Sequence, residues 1–303
     1  TAGTFQTLDT ASAVLFTSAY DADANTIGKL SISGGEFKHA SDTQEMIVDH
    51  YDASNSGTAA VTGGRFDADI SAYVPNGYIQ NENGAVETLG ETNAVAKVGG
   101  TYYKTLADAV AAAQDGDTIT LLKDAELTST LNLAKNITID GQGKYTIKAA
   151  NSFTVGSDNK TYCVLYVSGE VTLKDVTVNG NEKCRVIFCD KGKLTIDGAT
   201  ITNGKAPNFI GGVYMTSSAS FEMKSGSITG NKNAKGYQND EYLQYSSDLW
   251  IGANANGALT AINGGTIGNV FVNANAWSAS NPGSFTMNGG TAVSYTHLRA
   301  HET

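Results

Sequence analysis

One short phrase occurs three times between Gly169 and Asn231, and it constrains the fold more than anything else in the chain. The copies are Val171-Thr-Leu-Lys-Asp-Val-Thr-Val178, Leu194-Thr-Ile-Asp-Gly-Ala-Thr-Ile201 and Phe221-Glu-Met-Lys-Ser-Gly-Ser-Ile228. Counting from zero, large apolar residues hold positions 0, 2 and 7, and a small or apolar residue holds position 5. Apolar residues two apart with polar ones between them mark a strand with one buried face. The small residue, often Gly, sits where the chain bends before the next short strand. A unit this short cannot bury its apolar face alone and must stack on a copy of itself.

Further copies begin at Leu30, Ala59, Thr260 and Phe285, and Ile137-Thr-Ile-Asp-Gly-Gln142 is a partial one. The copies starting at 171, 194 and 221 are 23 and 27 residues apart. Three strands of about 3–5 residues with their turns need that length for one turn of a solenoid. The expected fold is therefore all-β, a right-handed parallel β-helix. An antiparallel β-sandwich with Gly-rich turns is the alternative, but it gives no reason for one phrase to recur in one register. Composition agrees: 34 Gly but only 3 Pro suits many tight turns.

Charge and hydropathy exclude some partners. A formal charge of −10 argues against nucleic acid and against an anionic membrane surface. No apolar run approaches the ~20 residues of a membrane span, so no membrane insertion is expected. The chain begins at Thr1 rather than Met and reads as a fragment, so the missing signal peptide says nothing about export.

The cysteines are Cys163, Cys184 and Cys189, an odd number that does not read as a disulfide framework. Stacking the copies puts Cys163 beside Arg185 and Cys184 beside Tyr162. Cys163 and Cys184 then become diagonal neighbours, open either to a bridge or to use as small apolar residues. The spacing does not suit zinc.

Along the chain, Ser12–Tyr20 alternates like a strand. Tyr20–Asn25 places oxygen ligands at alternate positions, but the Gly and the closing acid of a calcium loop are absent, so a polar turn is expected. No metal or other cofactor is expected. His39 and His50 read as surface residues.

The segment Phe66-Asp-Ala-Asp-Ile-Ser-Ala-Tyr-Val-Pro-Asn-Gly-Tyr78 resembles the closing phrase of repeat modules in large surface proteins of anaerobic gut bacteria. The resemblance implies that residues 1–88 are the C-terminal part of one β-helical module and 89–97 a linker. A second module would fill 98–292. It opens with a hairpin-like Val98–Tyr103 and then a capping box, Thr105-Leu-Ala-Asp108, in which Thr105 accepts from free helix N–H groups. The helix is expected at about 105–113, with Leu106, Ala109, Val110 and Ala113 on one face. This Leu-x-x-Ala-x-x-x-Ala-x-x-Gly-Asp-Thr-Ile arrangement resembles the opening of pectin-lyase-like β-helices, where a short helix covers the first coil. An uncovered end would expose apolar core and unpaired strand edges.

Residues 293–303, Val-Ser-Tyr-Thr-His-Leu-Arg-Ala-His-Glu-Thr, resemble the translation of a transposase sequencing adapter and read as non-native. His297, Arg299, His301 and Glu302 therefore carry no functional weight.

Catalytic motifs of the pectin-lyase-like class are missing: there is no Gly-His-Gly, no Arg-x-Lys and no paired aspartates with Gln. No catalytic residue is assigned. At position 3 of the phrase, Lys174, Asp197 and Lys224 point outward and read as a surface ion ladder. The register breaks between Lys232 and Leu249, read as a loop containing Tyr237, Asp240, Glu241, Tyr242, Tyr245 and Asp248. Trp277 lies in a second insertion. Tyr237, Tyr242, Tyr245 and Trp250 are the ligand-binding candidates, because aromatic faces beside carboxylates and amides suit sugars. The expected function is a non-catalytic, adhesin-like spacer at the cell surface or outside the cell, whose partners are host or dietary polysaccharides or glycoprotein glycans. The alternative is a polysaccharide lyase or glycoside hydrolase, which rests on fold analogy alone.

Overall fold

The computed structural model describes residues 4–6, 13–17, 28–39, 45–49, 58–206, 210–233, 248–252, 260–272 and 285–295. The chain divides into two compact units: Thr1–Ala94 with Tyr102–Lys104, and Val95–Thr101 with Thr105–Thr303.

In the first unit the two early copies of the phrase lie side by side. Strands Lys29–Lys38 and Thr58–Phe66 run parallel, with Leu30 opposite Ala59 and Ile32 opposite Val61. Thr4–Gln6 adds a third parallel strand. Register shifts between Ile32 and Glu36 still bring Phe37 opposite Phe66, and their rings stack at 4.6 Å. Gly63 permits the close approach, since a Cβ there would lie 2.4 Å from the Ser33 carbonyl oxygen. Phe37, Phe66, Val61, Ile70 and Val74 form part of one apolar cluster. Ala13–Phe16 pairs in parallel with Glu45–Val48, and Tyr78–Gln80 with Val86–Thr88 in an antiparallel hairpin.

His39 lies at the surface but has a partner from far along the chain. The His39 side chain is 15% exposed, and its Nδ1 lies 2.8 Å from Asp67 Oδ1. Their separation of 28 residues hid the pair from a reading of local pattern. His50 and the calcium-like turn Tyr20–Asn25 lie outside the described residues.

In the second unit the phrase stacks in the register its spelling demands. One long sheet carries, in spatial order, Ala96–Val98, Thr118–Leu121, Ile137–Asp140, Glu170–Lys174, Gly192–Asp197, Ala219–Met223, Thr260–Ile262 and Thr286–Met287. All these neighbours are parallel except the first pair. Ile137, Val171, Leu194 and Phe221 align as position 0; Ile139, Leu173, Ile196, Met223 and Ile262 align as position 2. Every one of these is at most 3% exposed.

A second long sheet holds two parallel rows. One row is Ala125–Leu127, Thr146–Ala149, Thr177–Asn179, Thr200–Thr202 and Ser227–Ile228. The other is Leu131–Leu133, Cys163–Val167, Arg185–Cys189, Val213–Met215 and Leu249–Ile251. The strand Thr266–Val272 pairs with the last member of both rows and joins them. The first row carries position 7 of the phrase as the buried column Val178, Ile201, Ile228 and Ile267. The fold is all-β, with long, mostly parallel sheets compatible with a β-helix-like solenoid. The strand Thr291–Tyr295 pairs with Thr266–Val272 and so crosses the expected boundary at 293.

The expected helix spans Leu106–Ala112. Thr105 Oγ1 accepts from the Asp108 N–H at 3.0 Å and donates to Asp108 Oδ2 at 2.8 Å. Leu106, Ala109 and Val110 are buried, as the apolar spacing requires. Lys135 Nζ donates to the Val110, Ala111 and Ala113 carbonyls at 3.2, 2.8 and 2.5 Å, a cation at the helix end where the dipole favours one. Among the described residues no helix is long and apolar enough to cross a membrane.

Candidate functional site

Of the four aromatic candidates, Tyr237, Tyr242 and Tyr245 lie outside the described residues, as does Trp277. Trp250 is described, and it is packed. Tyr166, Phe188, Tyr214, Trp250 and Phe271 align in register, one residue after the buried row Leu165, Ile187, Val213, Leu249 and Val270. Successive rings lie 6.0, 5.4, 5.7 and 4.1 Å apart. Trp250 is 6% exposed and clusters with Ile210 and Phe271. Its ring face is thus spent on packing, and the parity of the strand decides this.

Asp248, read as part of an outer loop, is likewise 4% exposed. Burial pushes its carboxyl above the usual range, against the opposing effect of hydrogen bonds from Asn231 and Asn269.

Arg185 stands opposite Cys163, as the stacking predicts, and is 2% exposed. Its Nε donates to the Ile210 carbonyl at 2.9 Å and Nη1 to Asn159 Oδ1 at 3.3 Å. Its guanidinium lies 4.9 Å from the Tyr214 ring centroid and 5.7 Å from that of Phe188. The three cysteines are free and buried, and burial pushes each thiol up to about 12. The cysteines serve as apolar filling, and the Cys163–Cys184 bridge is not formed.

The outer face of the phrase-bearing sheet carries a different chemistry. Thr138, Thr172, Thr195 and Glu222 align at position 1, one per strand. They line a groove of ≈ 270 Å³, with Asn136, Glu170, Lys193 and Lys224 also at its walls. Neighbouring members stand one strand spacing apart, ~4.8 Å. Thr195 is only 5% exposed. Among the described residues the hydroxyls of Thr138, Thr172 and Thr195 have no hydrogen-bond partner. A row of groups that each donate and accept is therefore left facing a polar groove.

Ion pairs flank that row. Lys193 Nζ donates to Glu222 Oε2 at 2.7 Å, which holds the Glu222 carboxyl below its usual range. The ladder expected from Lys174, Asp197 and Lys224 forms as two pairs and starts one strand earlier. Lys174 lies 2.9 Å from Asp140, and Lys224 lies 3.5 Å from Asp197. Solvent-exposed pairs such as these add little to stability. The groove was legible as a motif only in part. Thr at position 1 in successive copies reads first as strand alternation; depth and freedom from partners are tertiary properties.

A larger pocket of ≈ 640 Å³ lies in the first unit. Several of its polar groups are already used to hold its own walls. Gln80 Oε1 accepts from the Ile70 N–H, and Gln80 Nε2 donates to the Ala68 and Gly84 carbonyls. Asn81 Oδ1 accepts from Asn83 and Ala85, and Asp69 Oδ1 from Ser71. The groove of the second unit is the better candidate, because its hydroxyls remain available. Among the described residues no group of His, Cys, Asp and Glu has the geometry to hold a metal ion. Comparisons of the chain with family models, curated proteins and solved structures find no match.

Proposed function

We propose that the chain is a non-catalytic module of a bacterial surface protein, folded as a right-handed parallel β-helix of the pectin-lyase-like kind, that binds glycans outside the cell. The observation that carries the reading is the row of unpartnered hydroxyls from Thr138, Thr172 and Thr195 along one groove. Sugars present rows of hydroxyls of the same dual character, and sites rich in such groups recognise them by reciprocal hydrogen bonds. The flanking Lys193 and Glu222 are bound to each other, an arrangement suited to holding the groove's shape. Stacked strands also make a stiff arm, which suits a spacer that presents such a groove at a distance from a cell.

The test uses the full chain on immobilised plant polysaccharides and host glycoprotein glycans, with and without calcium. Retention without new reducing ends or unsaturated products is the expected result. Products that keep accumulating after repurification would overturn the non-catalytic reading in favour of a lyase or hydrolase. A folded chain retained on none of the matrices would overturn glycan binding.

A further inference from the structure

The charges at the groove are matched in place. Two carboxylates, Glu170 and Glu222, and two ammonium groups, Lys193 and Lys224, stand among its lining residues. Lys193 is held by Glu222 at 2.7 Å, and Lys224 by Asp197 at 3.5 Å. A ligand bearing a carboxylate or sulfate on every unit would have to displace these partners and would meet Glu170 at the same wall. An uncharged ligand meets no such opposition.

The floor, by contrast, asks for hydrogen bonds. Thr195 is 95% buried by its 5% exposure, lines the groove, and has no partner for its hydroxyl among the described residues. The Thr195 hydroxyl opens on the groove rather than being sealed in the core, so a ligand hydroxyl can exchange for the solvent it meets there. Thr172 and Thr138 repeat the same group on the next two strands. Their ~4.8 Å spacing is close to the advance of one sugar ring in an extended chain, so successive rings can meet successive threonines.

We propose that the groove takes an uncharged polysaccharide lying across the strands, with Thr195 as a specificity-determining contact. This rests on the glycan-binding reading above and narrows it to neutral chains.

The experiment is affinity gel electrophoresis of the full chain in gels containing a mixed-linkage β-glucan, a glucomannan or a xyloglucan, set against polygalacturonate and chondroitin sulfate. Retardation by at least one neutral polymer is expected, changing less than about twofold between ~0.05 and ~0.5 M salt, because no ion pair is formed with the ligand. Thr195→Val keeps the shape and removes the hydroxyl; it should weaken retardation about tenfold with an unchanged thermal transition. Thr172→Val provides a second variant on the same row and should weaken it in the same direction.

Retardation only by the acidic polymers, or loss of retardation in salt, overturns the neutral-ligand inference and leaves glycan binding standing. Wild-type retardation by both folded variants overturns the assignment to this groove. No retardation by any polymer, with a normal thermal transition, overturns both.

Discussion

Asp248 Oδ1 accepts two hydrogen bonds from Asn231, one from the backbone N–H at 3.1 Å and one from Nδ2 at 2.8 Å. The two residues are 17 apart in sequence, with residues 232–247 between them. Asp248 therefore ties the start of Leu249–Ile251 to the segment that follows Ser227–Ile228. Asn231 completes the tie: its Oδ1 accepts from the Gly204 N–H at 2.9 Å.

Removing that carboxylate strands buried donors. Asp248→Ala should cost roughly 2–4 kcal/mol in urea unfolding. The cost should also depend on pH. Burial raises the folded-state pKa, so this titration favours folding fully below the ordinary value of 3.8 and loses its effect as pH rises through the raised one. The penalty of Asp248→Ala is then larger near pH 4 than at pH 7. A penalty that grows with pH instead would contradict the assignment.

Arg185 fills space as much as it carries charge. Arg185→Ala should cost about 2–4 kcal/mol, by loss of packing on Phe188 and Tyr214 and of the bonds to Ile210 and Asn159. Arg185→Met should recover at least half of that, because desolvation of the guanidinium opposes its bonding and a similar volume is kept. Denaturant midpoints at constant m-value check both; equal losses for Met and Ala would show that the charge dominates.

Three thiols at about 12 are almost entirely protonated at pH 8, with about one in 10⁴ ionised. Iodoacetamide should label none of Cys163, Cys184 and Cys189 in the folded chain over an hour, and all of them in urea. Mass spectrometry counts the adducts. Rapid labelling of one thiol in the native chain would show that its strand opens locally.

Much of the second unit could be read from spelling alone. Val171, Leu194 and Phe221 share a column because a two-residue period leaves one face to bury and an eight-residue phrase fixes where the bend falls. The helix was equally legible, since Thr105, Asp108 and the spacing of Leu106, Ala109 and Val110 are all local signals. Local pattern failed where a partner lay far away. Trp250 looked like a ligand platform because the break before it hid its register with Tyr214; the stack gives its ring to Phe271 instead. Asp248 was lost in the same break, and His39 pairs with an Asp67 that no period predicts.

Alternation and repetition are properties of the chain, and they settle which residues face inward and that copies of the phrase must lie on one another. Which outward residues stay free depends instead on how distant segments pack. Tyr166, Phe188, Tyr214, Trp250 and Phe271 face away from the phrase's core and are nonetheless packed ring on ring. Thr138, Thr172 and Thr195 also face outward, yet they keep their hydroxyls unspent in a groove. Both rows obey the same period; what separates them is what the fold lays beside each, and that depends on contacts between residues far apart in the chain.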